Sequence, residues 1–209
     1  MRRRGLEIRG ATISFDPITL TFLVYSVVLL FYVLIFDTRA ILQLMFAFFG
    51  LVYAMGMGGY TPWIGRHEVY YSVLVGVLGA LGIVVIDFLL GFFGRLEGEF
   101  LPVIYTLTAP FVEEAFFRGF LLNFQLGFVP LNPVGISIAF TSNSLVFAVY
   151  HVGSSLLLFH SINFIYLCAI YASGYLLCYE AYVTKRLIAP MFTHFLINVI
   201  ALKGLLRVI

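Results

Sequence analysis

Charged side chains make up only 11% of the 209 residues, and 62% of the chain is hydrophobic, whereas an ordinary soluble domain is about 25% charged. Ten acids and twelve bases cannot coat a water-facing surface of this size, which excludes a soluble globular protein. The net charge of +2 is too small and too scattered to propose nucleic acid or an acidic substrate as a partner. Cysteine is almost absent. Cys168 and Cys178 lie ten residues apart in one apolar stretch, on different faces of a helix, so no disulfide framework exists and both read as packing residues. Internal repeats and low-complexity tracts are missing too, and no loop is long enough for a soluble domain. The chain therefore reads as one integral membrane domain over residues 1–209.

What is abundant is apolar length. Runs cover about Ile18 to Phe36, Ala40 to Met57, Tyr70 to Phe93, Phe100 to Phe124, Ile136 to His151, Ile162 to Tyr182 and Ile188 to Leu206. Each approaches the roughly 20 residues needed to cross a bilayer as a helix. The 23 phenylalanines and 13 tyrosines suit lipid and its aromatic interfaces. The expected fold is an all-α polytopic bundle of seven spans, or eight if Gly153 to Ser161 is a partial span and not a short interfacial helix. Arg2, Arg3, Arg4 and Arg9 before the first run resemble the charged region of a signal peptide. No small-residue cleavage site follows, so that run is expected to be an anchor in a mature chain starting at Met1. Lysine and arginine counts on the two sides of a seven-span chain favour a cytoplasmic N-terminus. Gly76, Gly79, Ala80 and Gly82 give the third run a small-residue face for close helix approach.

Ionisable groups at membrane depth cost about 2.5 to 3.5 kcal/mol each on insertion scales, so they mark function by default. The sequence buries Glu113, Glu114 and Arg118 in Pro110-Phe-Val-Glu-Glu-Ala-Phe-Phe-Arg-Gly119, His151 in Phe147-Ala-Val-Tyr-His151, and His194 with Asn198 in Thr193-His-Phe-Leu-Ile-Asn198. Glu114 and Arg118 are four apart on one helical face and form a structural ion pair. Glu113 points about 100° away and lacks that local partner. His194 and Asn198 share a face, as do Phe147 and His151, where an aromatic ring walls the imidazole. Asn143 reads as interhelical glue, Asp87 as a residue near the membrane surface, and Glu180 as solvated near a helix end.

Such a set supports water activation and amide cleavage. A carboxylate and a histidine on different helices can hold one water, remove its proton and return it to a leaving amine, each step worth about 10² to 10⁴ in rate. A second histidine and an asparagine amide can donate to the oxyanion.

The order Glu-Glu-x-x-x-Arg, Phe-x-x-x-His and His-x-x-x-Asn on three separate apolar helices resembles the three motifs of the CAAX protease and bacteriocin-processing (CPBP, also ABI) intramembrane endopeptidases. The resemblance covers about Phe100 to Leu202; the N-terminal half matches only in being hydrophobic. It implies a helical intramembrane fold with a cavity among motif helices within 100–202. It implies that Glu113 and His151 activate water, that His194 and Asn198 stabilise the oxyanion, and that Glu114, Arg118 and Phe147 support them. Its best-known members remove three residues from prenylated CaaX proteins, so the partners implied are lipid and a peptide or protein substrate, prenylated in those members. No cofactor is implied.

Two rival readings use the same residues. Zinc would take Glu113, His151 and His194 with water as a fourth ligand, although His-Glu-x-x-His does not occur. A proton or ion relay in a transporter would also need buried Glu, Arg and His, but inverted repeats with broken helices are not seen. A serine protease is disfavoured, since neither Gly-x-Ser-Gly nor Gly-x-Ser-x-Gly occurs.

Overall fold

The computed structural model describes residues 13–34, 38, 40–56, 59–62, 64–89 and 103–206, without the side chains of 87, 88, 103, 105, 106, 157, 158 and 201–206. Asp87 belongs to the third helix, and its side chain, expected near the membrane surface, lies outside the described residues.

The described residues form helices and contain no strand: α1 (Pro17–Leu34), α2 (Ala40–Gly56), α3 (Arg66–Leu89), α4 (Val103–Glu114), a π-helical segment (Ala115–Leu121), α5 (Leu122–Phe128), α6 (Pro133–Tyr150), α7 (Val152–Phe159), α8 (Phe164–Thr184) and α9 (Ile188–Leu206). Local chemistry sets the ends. Asn132 caps α6 by accepting the Gly135 N–H at 2.9 Å, with Pro133 in the first turn, and Asn163 caps α8 through the Tyr166 N–H at 3.0 Å, satisfying amides that have no intrahelical partner. Asp16 and Thr19 cap α1 reciprocally: Asp16 accepts from the Ile18 and Thr19 amides, and Thr19 accepts from the Asp16 amide. Lys185 ends α8 in the left-handed region at φ 55°, its ammonium 3.4 Å from the Tyr182 ring centre.

By length and composition, four described stretches can cross a membrane: Pro17–Leu34, Arg66–Ile86, Pro133–Leu156 and Phe164–Thr184, with shorter apolar helices at Ala40–Gly56 and Ile188–Ile200. That is the count among the described residues, and the expected seven or eight is not confirmed by it. From Val103 to Phe128 the chain is not one α-helix, because it changes to π geometry at Ala115. The short-helix candidate after His151 is α7, which follows α6 directly.

The packing is inside out relative to a soluble domain. Large apolar side chains such as Tyr25, Val28, Phe31, Phe48, Tyr70 and Leu81 are exposed, while Gln43, Glu113, Glu114, Arg118, Asn123, Asn143 and Glu180 are buried. A lipid solvent favours that distribution: apolar faces lose nothing there, and each polar group needs a protein partner. Helix α9 lies against α3 and α4, and α6 against α8. The small face of α3 works as expected: a Cβ on Gly76 would stand 2.9 Å from the Ala189 carbonyl oxygen, and Gly79 lies directly beneath the Glu180 carboxyl.

Candidate active site

The π segment places the first motif. Its i→i−5 bonding, seen in the Leu122 N–H donating to the Phe117 carbonyl, shifts the phase of the helix at Glu113 and Glu114, and such segments concentrate at functional sites. Asparagine amides satisfy carbonyls around it. Asn143 donates to the Phe117 carbonyl at 2.8 Å and to Gln125 at 3.1 Å, and Asn123 donates to the Gly119 and Ile13 carbonyls at 2.7 and 2.9 Å. Asn143 is thus the interhelical glue its sequence position indicates.

Arg118 is completely buried. Its Nη1 donates to Glu114 Oε1 at 3.0 Å, its Nη2 donates to the Gly174 carbonyl of α8 at 3.1 Å, and its guanidinium carbon stands 4.4 Å from the centre of the Phe147 ring. The ion pair read from spacing is present. The sequence does not reveal that Glu114 also binds His194, whose Nδ1 lies 2.9 Å from the same Oε1. A carboxylate held by a guanidinium is an acceptor, so Nδ1–H donates to it. The other ring nitrogen, Nε2, is thereby aimed at Glu113, 4.0 Å from Oε2. That gap exceeds a hydrogen bond.

Glu113 is held from its other side. The Tyr150 hydroxyl donates to Oε1 at 3.1 Å, while Oε2 is buried with no hydrogen-bond partner among the described residues. A second polar neighbour of Tyr150 is Gln43 on α2. Both residues escaped the sequence reading, although signals existed: Tyr150 directly precedes His151, and Gln43 is the lone amide side chain in the second apolar run.

His151 occupies the joint between α6 and α7, with φ −81° and ψ 2°. Its Nδ1 lies 2.9 Å from the Phe147 carbonyl oxygen; a carbonyl only accepts, so Nδ1 carries the hydrogen and Nε2 keeps its lone pair. The ring packs 4.4 Å from Phe147 and 4.9 Å from Tyr150, centre to centre. Phe147 also meets His194 edge-on at 6.1 Å, so one aromatic ring separates the two imidazoles and floors Arg118. Asn198 follows His194 by one turn on α9 and is partly buried. The structure therefore gathers Glu113, Glu114, Arg118, Phe147 and His194 through direct contacts, and attaches His151 through Phe147 and Tyr150. Among the described residues no three His, Cys, Asp or Glu side chains are grouped to hold a metal ion.

Glu180 departs from its reading. It is 1% exposed, not solvated, because α8 continues to Thr184 and packs Glu180 against α3 and α9.

Together these features define a class: a helical bundle with lipid-compatible outer faces that buries two acids and a guanidinium and sets two half-buried imidazoles against one aromatic floor. Residues 97–200 match the family model described as type II CAAX prenyl endopeptidase Rce1-like, a span that contains all three motifs, and the chain belongs to this family of membrane proteases. No curated protein and no solved structure matches the chain.

Proposed function

We propose that the protein is an intramembrane endopeptidase that hydrolyses a peptide bond with a water activated by Glu113 and His151, without a metal. The observation that carries this is the buried, unpartnered Glu113 Oε2 facing His194 Nε2 across 4.0 Å. In this reading Glu113 removes a proton from water and His151 Nε2 accepts a hydrogen bond from the same water, orienting it toward the scissile carbonyl. The developing oxyanion takes hydrogen bonds from the His194 ring at Nε2 and from the Asn198 amide. Collapse of the tetrahedral intermediate expels the amine, which receives the proton held by Glu113. Glu114 and Arg118 fix the His194 ring, and Phe147 fixes both imidazoles. The substrate proposed is the C-terminus of a prenylated CaaX-type protein, reached from lipid, in a chain of seven spans with its N-terminus in the cytoplasm.

The test incubates detergent-purified protein with a prenylated CaaX peptide and an unprenylated control, beside Glu113→Gln and His151→Ala. Loss of cleavage by about 10² or more in both variants is expected, with no effect of chelators. Cleavage unchanged in both variants would remove the mechanism. Chelator-sensitive cleavage would return the zinc alternative, and proton flux in proteoliposomes lost on Glu113→Gln, with no peptide cut, would establish the transporter reading.

A further inference from the structure

Outside the three motifs the acids Asp16 and Glu180 are buried as well, and the hydrogen bonds of Glu180, the one set among α3, α8 and α9, do not balance if it is ionised. The Thr193 hydroxyl oxygen lies 2.8 Å from the Gly76 carbonyl oxygen on α3 and 2.7 Å from Glu180 Oε2 on α8. A hydroxyl has one hydrogen to donate. A carbonyl and an ionised carboxylate both only accept, so with Glu180 charged one of these two oxygen pairs would face each other with no hydrogen between them. With Glu180 as a carboxylic acid every position is filled: Oε2–H donates to Thr193, and Thr193 donates to the Gly76 carbonyl. The surroundings agree. Glu180 Oε1 is buried with no hydrogen-bond partner among the described residues. It rests on Gly79, where any side chain would collide with it. Among the described residues the charged groups that act on Glu180 are Glu114 and Arg118. They are already bonded to each other, to His194 and to the Gly174 carbonyl.

We infer that Glu180 is a neutral carboxylic acid that, through Thr193, locks α9 onto α3 and α8 and so positions the adjacent His194 against Glu114. Glu180 touches no reacting atom; it is a positioning residue. The inference that it acts on catalysis rests on the proposed role of His194, whereas its protonation and its hold on the His194 ring do not.

The test uses the full chain in detergent and compares Glu180→Gln, Glu180→Ala and Thr193→Val with wild type. Infrared difference spectra should show the loss of a protonated-carboxyl carbonyl band in Glu180→Gln. If no such band is lost, Glu180 is ionised and the inference falls. The imidazole nitrogen resonances of His194, assigned with His194→Gln, should stay in place in Glu180→Gln, whose amide still donates to Thr193. They should move in Glu180→Ala and Thr193→Val; resonances unmoved in these two variants would overturn positioning. On a cleavable peptide, kcat should drop about tenfold or more in Glu180→Ala and Thr193→Val with KM held, and recover in Glu180→Gln. A wild-type protein that cuts no peptide would count against the proposed function alone, because the infrared and resonance readouts decide the inference without activity.

Discussion

Removing the Arg118 charge is the sharpest test of how the bundle tolerates its acids. In Arg118→Met the stem volume is largely kept, but Glu114, fully buried beside it, loses its guanidinium. Breaking a buried pair by deleting one partner costs roughly 3 to 5 kcal/mol, because the remaining charge is uncompensated. The Gly174 carbonyl also loses its donor at 3.1 Å, which adds about 1 kcal/mol. The companion variant Glu114→Gln/Arg118→Met removes both charges and leaves an amide oxygen to accept from His194. It should recover roughly 2 kcal/mol or more relative to Arg118→Met, since contacting residues couple strongly. The assay is reversible unfolding in mixed micelles, with wild type, both single variants and the double variant closing a cycle. A loss under about 1 kcal/mol for Arg118→Met, or a double variant no more stable than Arg118→Met, would refute the claim that the pair is a dry, mutually dependent unit.

Tyr150→Phe keeps the ring packed against Phe46, Phe117 and His151 but removes the donor to Glu113. We expect kcat to fall about tenfold, the effect of losing one hydrogen bond to a charged group; an unchanged kcat would show that the contact is idle. Gly79→Ala should destabilise by about 1 to 3 kcal/mol in thermal unfolding, since the new methyl meets the Glu180 carboxyl and cores resist overpacking; unchanged stability would place Glu180 elsewhere. At the start of α1, burial raises the Asp16 carboxyl above its ordinary value of 3.8 despite its two backbone donors and nearby Arg186. The folded state then holds its proton more tightly than the unfolded state, so the Asp16 contribution to stability falls as pH rises from 3.8 through the folded value and is flat above it. Asp16→Asn, which keeps the cap acceptor, should therefore be at least as stable as wild type at neutral pH and lose that advantage in acid; the reverse order would contradict the sign.

The three motifs were legible because a charged residue in an apolar run has few physical excuses, and helical spacing alone pairs Glu114 with Arg118. Spacing could not show that His194 binds Glu114, since those residues lie on different helices and no local rule sets how α9 rotates against α4. It also could not show the π segment, which depends on asparagines 143 and 123 satisfying carbonyls across helix boundaries. Glu180 shows the limit clearly. Its position near the end of an apolar run reads as solvated, and only the approach of Gly76 and Gly79 on α3 buries it.

By itself, the sequence determined the solvent of this protein and the inventory of its site, because hydropathy and residue type are properties of the chain that no packing alters. The tertiary structure alone decided which acid meets which base: Glu113 with Tyr150 and His194, Glu114 with Arg118 and His194, Glu180 with Thr193. Those contacts depend on the register and rotation of whole helices, which are fixed by close-packed small residues and cross-helix hydrogen bonds and not by any short stretch of sequence.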